Sequence, residues 1–180
     1  MAQIKLNATY GLTGTLPAVS GANLTTLNAT NISSGTLNAA RYSGGKILQV
    51  VETSDVITLI STTSTTYVTN GIELDITPSA TSSKILLLYQ HVCHLAAGAG
   101  HMAMTIYRDA TDLAGDDGLV INQVNGDWIP VSITYLDSPS STSSLNYEIF
   151  FHTSGDPASI CYGGYADWRP ASFVALEIGA

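Results

Sequence analysis

The feature that most constrains the fold is a series of short stretches in which apolar and polar residues alternate. In IELDI (72–76) every second residue is apolar, and the same period runs through LNYEIFFHT (145–153). A period of two indicates a β-strand with one buried face. Gly, Pro, Asn and Asp residues separate these stretches at the short intervals typical of antiparallel proteins. The pattern therefore predicts an all-β fold, an antiparallel β-sandwich or jelly roll.

The predicted strands fill the chain from residue 46 onwards. Their ranges are 46–53, 56–61, 66–77, 84–95, 101–108, 118–124, 128–137, 145–153, 158–163 and 171–179. Hydrophobic residues make up 45% of the sequence, which is ample for the core of such a sandwich.

One predicted strand is apolar on both faces. In KILLLYQHVCHL (84–95), Ile85, Leu87, Tyr89 and Cys93 share one face. The opposite face carries Leu86, Leu88, Val92 and His94. The outer face of a lone antiparallel sandwich meets water, so a second apolar face implies a covering element. We predict that this second face packs around the three-fold axis of a homotrimer.

Residues 1–45 differ from the rest of the chain in charge and pattern. They contain Lys5 and Arg41 and no acidic residue, whereas all fourteen Asp and Glu residues lie in 46–180. An apolar residue recurs every five positions, at Leu27, Ile32, Leu37 and Tyr42. Neighbouring chains must cover such a ladder, and a flexible linker is the alternative. We predict an N-terminal attachment or shaft segment in 1–45 and a β-sandwich knob in 46–180.

The run GTLPAVSGANLTTLNATNISSGTLNAAR (14–41) resembles the low-charge modules near the start of bacteriophage fibre and tail-fibre proteins. The resemblance continues in GGKILQVVET, IELDITPSATSSKILLL, YLDSPSS and FVALEIGA, and so covers essentially the whole chain. It implies a homotrimeric virion appendage with a C-terminal knob. It also implies that a tail, portal, collar or capsid protein holds the N-terminal segment, and that the protein is located in the virion.

Composition excludes several classes of function. The net charge is −8 and the six basic residues are scattered, which is incompatible with a nucleic-acid groove. No stretch approaches the roughly 20 apolar residues of a membrane-spanning helix, so we expect no membrane insertion. The start of the chain shows no signal-peptide pattern. Cys93 and Cys161 lie in apolar surroundings, which favours buried thiols over a disulfide.

The sequence predicts neither a metal site nor a catalytic one. His91 and His94 would point to opposite faces of a strand, and three copies of one histidine on a trimer axis are the remaining metal hypothesis. Asp109, Asp112, Asp116 and Asp117 lack the spacing of a calcium loop and indicate turns. The candidate acids Glu148 and Asp167 have no visible partner, and no Gly-x-Ser-x-Gly motif occurs. We therefore expect no cofactor and no enzyme activity.

Two predicted loops combine aromatic and polar residues, NGDW (125–128) and YGGYADWR (162–169). Sugar rings stack on aromatic faces while polar groups bind their hydroxyls. The candidate receptor-binding residues are Asn125, Asp127, Trp128, Tyr162, Tyr165, Asp167, Trp168 and Arg169. The alternatives are that Trp128 begins a core strand and that Trp168 packs under its own loop.

The sequence as a whole predicts a tail or head fibre that adheres to the host cell surface, with a surface glycan as the candidate receptor. The alternative is a capsid decoration or cement protein with a purely structural role. A free trimeric lectin and a glycan hydrolase are further alternatives. The missing signal-peptide pattern weighs against the lectin. The hydrolase needs two paired carboxylates on a long groove, for which this chain shows no candidate pair.

Overall fold

The computed structural model describes residues 45–55, 60–95, 100–115, 118–123, 126–154, 161–162 and 171–179. These residues form strands β1 (Lys46–Asp55), β2 (Ser61–Thr62), β3 (Val68–Ile76), β4 (Lys84–Leu95), β5 (Met102–Arg108), β6 (Thr111–Asp112), β7 (Val120–Asn122), β8 (Asp127–Asp137), β9 (Leu145–Thr153), β10 (Cys161–Tyr162) and β11 (Ala171–Gly179). For Asp55, Cys161 and Tyr162 only the backbone is described. Within these ranges there is no helix long and apolar enough to cross a membrane.

The first sheet is built around β4. Along its whole length β4 pairs with β8. On its other side it pairs first with β11 and then, near Leu95, with β10. β1 lies beyond β11, and β2 lies beyond β10. All of these pairings are antiparallel, as the hairpin-rich sequence predicts.

The second sheet has the order β3-β9-β5, and both β6 and β7 pair with the far side of β5. A bulge interrupts the pairing of β3 with β9 between Thr69 and Glu73. Gly71 lies inside this bulge with a φ of 77°, a left-handed conformation that glycine adopts without strain.

Side chains from the facing sides of both sheets form one hydrophobic core. The largest fully buried side chains are Tyr89, Tyr147, Phe151, Phe173, Ile72, Ile76, Ile85, Leu87, Leu95, Met102, Met104 and Ile106. They follow the alternation in the sequence, with buried and less buried residues taking turns along β3, β4, β9 and β11. The prediction of an all-β antiparallel sandwich is confirmed.

The strand bounds follow the prediction closely wherever the alternation is long. The strands predicted at 84–95, 145–153 and 171–179 have the bounds that the structure gives β4, β9 and β11. The predicted strand 56–61 reaches the described residues only at its end, where β2 begins. The two-residue strand β6 was not predicted, because it lies in an Asp-rich turn without a visible period.

A chain of polar side chains joins the two sheets inside the core. The Nδ2 of Asn70 donates to the hydroxyl of Tyr89 over 3.0 Å, and that hydroxyl lies 3.1 Å from Nδ1 of His91. The Oδ1 of Asn70 accepts the backbone N–H of Ile72 within the β3 bulge. Burial raises the pKa of Tyr89 well above its usual value, so the phenol stays neutral. This network fixes β3 against β4.

A partly buried ion pair joins the sheets at the end of β8. The Nη1 of Arg108 lies 2.8 and 2.7 Å from the carboxylate oxygens of Asp137, and the hydroxyl of Tyr147 donates to the same carboxylate over 2.6 Å. Asp137 is 6% exposed and Tyr147 is fully buried. Burial, together with the hydrogen bond to Asp137, raises the pKa of Tyr147. We call these three residues the inter-sheet clamp.

A second buried carboxylate holds the turn between β3 and β4. Oε1 of Glu177 accepts hydrogen bonds from the backbone and hydroxyl of Ser79, at 2.7 and 2.6 Å, and from the hydroxyl of Ser83, at 2.6 Å. Its other oxygen accepts from Nε2 of Gln49 over 2.8 Å. Burial opposes ionisation, but these donors outweigh it and lower the pKa of Glu177 to about 2.

Candidate interaction surfaces

The outer face of the first sheet carries the residues predicted to line a trimer axis. Leu86, Leu88, Val92 and His94 alternate along β4 with fully buried residues and are themselves half-buried. The two-faced apolar character predicted for 84–95 is therefore present in the fold. The role of this face in a trimer stays a prediction.

The strand register extends this face into an aliphatic row across four strands. Val50 of β1 lies opposite Leu176 of β11, and Leu176 lies opposite Leu86 of β4. Leu86 in turn lies opposite Leu136 of β8. Cross-strand partners point to the same side of a sheet, so these four side chains adjoin one another. Val50 and Leu136 are 59% and 48% exposed, which is unusual for aliphatic residues in a continuous patch.

Only one member of this aliphatic row is recognisable from the sequence alone. Leu86 was visible because β4 is apolar on both faces. Val50, Leu176 and Leu136 come from three separate strands, and only the register aligns them. The alternation in each strand indicates which residues of that strand share a face. It does not show that these three residues lie beside one another across the sheet.

The other end of the same face brings together parts of both predicted receptor loops. Tyr162 lies opposite His94 in the register, and His94 lies opposite Trp128. The rings of His94 and Trp128 have centroids 4.8 Å apart. Trp128 begins a strand, as one alternative held, but it lies on the outer face and not in the core. Asp127 is exposed, and its Oδ1 accepts the backbone N–H of Trp128 over 2.7 Å.

Several predicted residues lie outside the described part of the chain. For the receptor loops these are Asn125, Tyr165, Asp167, Trp168 and Arg169. For the N-terminal ladder they are Leu27, Ile32, Leu37 and Tyr42. Their roles stay predictions, as does the division of the chain at residue 45.

The outer face of the second sheet holds a cluster of aromatic rings that sequence reasoning missed. Tyr107 and Phe150 have centroids 4.1 Å apart with planes inclined at 33°. Tyr67 contacts Tyr107 edge-on at 6.1 Å and His152 at 4.5 Å, and His101 lies 6.2 Å from His152. All five rings are half-buried. We call them the aromatic face.

Acidic side chains lie next to the aromatic face. Glu148 of β9 lies opposite Glu73 of β3 and, on its other side, opposite Tyr107 of β5. The sequence shows no partner for Glu148, because the pairing of β3 with β9 is not visible in it. Nδ2 of Asn146 donates to both Glu73 and Asp75 over 3.1 Å. We call Glu73, Asp75 and Glu148 the acidic row.

The described residues contain neither a group of metal ligands nor an activated thiol. No group of three or more His, Cys, Asp or Glu side chains there is arranged to hold a metal ion. His91 and His94 lie on opposite faces of β4, as expected. Burial raises the pKa of the Cys93 thiol to about 12, and its Sγ lies 3.7 Å from Sδ of Met104. Cys93 therefore packs as an apolar core residue and is not an activated nucleophile.

Comparisons with known proteins give no family assignment. No protein-family model matches the chain, and no curated protein matches it. Among solved structures, the infectious bursal disease virus Gt strain matches at 18% identity and a TM-score of 0.38, over 73% of this chain and 38% of that one. The VP2 subviral particle of the same virus matches at 16% identity and a TM-score of 0.37, over 72% and 39%. The chain thus spans less than two fifths of these proteins, and the fold assignment rests on the two sheets described above.

Proposed function

We propose that this protein is a bacteriophage fibre that attaches to the virion through residues 1–45 and displays the β-sandwich as a homotrimeric knob. The resemblance of the sequence to phage fibre proteins supports this proposal, as do its low charge and its all-β fold. The knob adheres to the host cell surface. The anchoring partner is a tail, portal, collar or capsid protein.

The observation that carries the proposal is the aliphatic row on the outer face of the first sheet. Burying such a row between copies of the chain removes exposed apolar surface from water, and each Å² contributes about 25 cal/mol. In a three-fold ring each copy contacts its two neighbours through two different surfaces, and a row that faces the three-fold axis contributes to both of them. Multiple copies also strengthen weak contacts with a cell surface.

Light scattering on the full-length protein tests the assembly. We expect a mass three times that of the 18.9 kDa chain. Leu136→Glu and Val50→Glu are expected to yield monomers, because a trimer would bury their new charges. Ile121→Glu is the matched control, since Ile121 is 50% exposed on the second sheet, and it is expected to stay trimeric. A monomeric wild-type protein would contradict the proposal.

A capsid decoration protein is the second candidate, because an apolar face can also pack against a shell. Virus particles whose copies of this protein lack the β-sandwich distinguish the fibre from the decoration protein. Intact particles that no longer adsorb to cells support the fibre. Particles that adsorb normally but lose head stability support the decoration protein and overturn host adhesion.

A further inference from the structure

We propose that the outer face of the second sheet binds a neutral polysaccharide. The aromatic face and the acidic row lie side by side there, on the outer sides of β3, β9 and β5. The role of this surface as a host-receptor site rests on the proposed function. Its binding of a sugar is argued from the described residues alone.

The aromatic rings provide a preordered apolar platform. Phe150 lies opposite Thr105 and Tyr107 lies opposite Glu148, so the rings of Tyr107 and Phe150 are diagonal neighbours on adjacent strands. Tyr67 packs edge-on against Tyr107 and braces it. Rings that already hold one another lose little conformational entropy when a ligand binds. The C–H face of a pyranose ring has the shape and polarity to pack on such rings.

The acidic row provides hydrogen-bond acceptors at the edge of this platform. An ionised carboxylate can accept about four hydrogen bonds. Among the described residues, Glu148 accepts one from the hydroxyl of Thr69, and Glu73 accepts one from Asn146. Glu73 and Asp75 are exposed, so water satisfies their remaining lone pairs, and the hydroxyl groups of a sugar can replace that water. A ligand with an apolar face and a rim of donors therefore fits both parts of the surface.

Charge selects a neutral polymer over an acidic one. The acidic row brings three carboxylates together, and the described residues show no ion pair with any of them. Nucleic acids and acidic polysaccharides would meet this negative potential and be repelled. An uncharged hexose polymer avoids that repulsion and keeps both the stacking and the hydrogen bonds.

Affinity electrophoresis of the full-length protein tests the inference. The gels contain dextran, mannan or galactan as neutral probes, alginate as an acidic probe, or chitosan as a cationic probe. We expect at least one neutral polymer to retard the protein and alginate to have no effect. Retardation by chitosan alone, or by alginate, would overturn the inference, as would a lack of retardation by every neutral polymer.

Point variants locate the binding surface. Tyr107→Leu and Phe150→Leu keep an apolar side chain but remove the ring, and each is expected to weaken binding about tenfold. Glu148→Gln removes an acceptor and relieves the repulsion from Glu73, so it is expected to fold well and still bind several-fold more weakly. Its binding therefore tests the surface even if a leucine variant does not fold.

Variants on the first sheet separate this surface from the predicted receptor loops. Glu52→Gln removes an exposed carboxylate on β1 and is the control, expected to bind as the wild type does, whereas Trp128→Leu removes a ring of the predicted loops. Loss of binding in Trp128→Leu alone would move the site to the predicted loops and overturn the inference. Light scattering on the same samples reports assembly separately, so a trimer that binds no neutral polymer refutes this inference without refuting the fibre.

Discussion

Asp137→Ala is expected to lower the free energy of unfolding by about 2–4 kcal/mol. The carboxylate of Asp137 accepts hydrogen bonds from Arg108, from Tyr147 and from the backbone N–H of Ser138. Its removal leaves the guanidinium of Arg108, which is 24% exposed, without its counter-ion. It also leaves the buried hydroxyl of Tyr147 without its acceptor. Because these groups come from both sheets, the loss loosens the sandwich itself.

Urea unfolding at pH 7 and a fixed protein concentration measures this effect. Asp137→Asn keeps an acceptor for Tyr147 and is expected to cost less than the alanine variant. The triple variant Arg108→Met, Asp137→Leu and Tyr147→Phe is expected to recover most of the stability, since apolar groups then replace both the charges and the buried hydroxyl. If the free energy of unfolding of Asp137→Ala lies within about 1 kcal/mol of the wild-type value, the inter-sheet clamp does not hold the sheets together.

The strands could be predicted from the sequence because their alternation is a local property. β4, β9 and β11 each carry a long apolar pattern that ends at Gly, Pro, Ser or Asp residues. The inward face of β11 could not be predicted in this way. Val174, Leu176 and Ile178 are the more apolar set, yet Phe173, Ala175 and Glu177 point into the core. The position of β11 between β1 and β4 decides its orientation, and that position is a property of the whole sheet.

The candidate surfaces depend even more on pairing between distant strands. Tyr107 and Phe150 were assigned to separate strands, and nothing local to either residue shows that their rings touch. The same holds for Glu73 and Glu148. Residues in a loop are neighbours in the sequence, which explains why NGDW and YGGYADWR were visible at once. A site on a sheet face becomes visible only when the register is known.

Glu177→Gln is expected to lower the free energy of unfolding by about 2–3 kcal/mol at pH 7, since hydrogen bonds to a charged group are the strong ones. The folded pKa of Glu177 is about 2, below its ordinary value of 4.5. The ionised carboxylate therefore stabilises the fold fully above pH 4.5, and this contribution is lost as the pH falls towards 2. The stability gap between the wild type and Glu177→Gln is expected to close over that interval. Urea unfolding between pH 7 and pH 2 measures it.

Two further variants show whether the donors to Glu177 cause this pH dependence. Ser83→Ala removes one buried donor, so it is expected to raise the folded pKa of Glu177. The stabilisation by the carboxylate is then smaller, and its loss is complete at a higher pH than in the wild type. Glu52→Gln removes an exposed carboxylate on β1 and is expected to change the stability by less than about 0.5 kcal/mol at pH 7. If the free energies of unfolding of the wild type and of Glu177→Gln keep a constant difference down to pH 2, the lowered pKa of Glu177 is contradicted. The carboxylate would then be no better stabilised in the folded chain than in the unfolded one, and the turn at Ser79 would be held by packing alone.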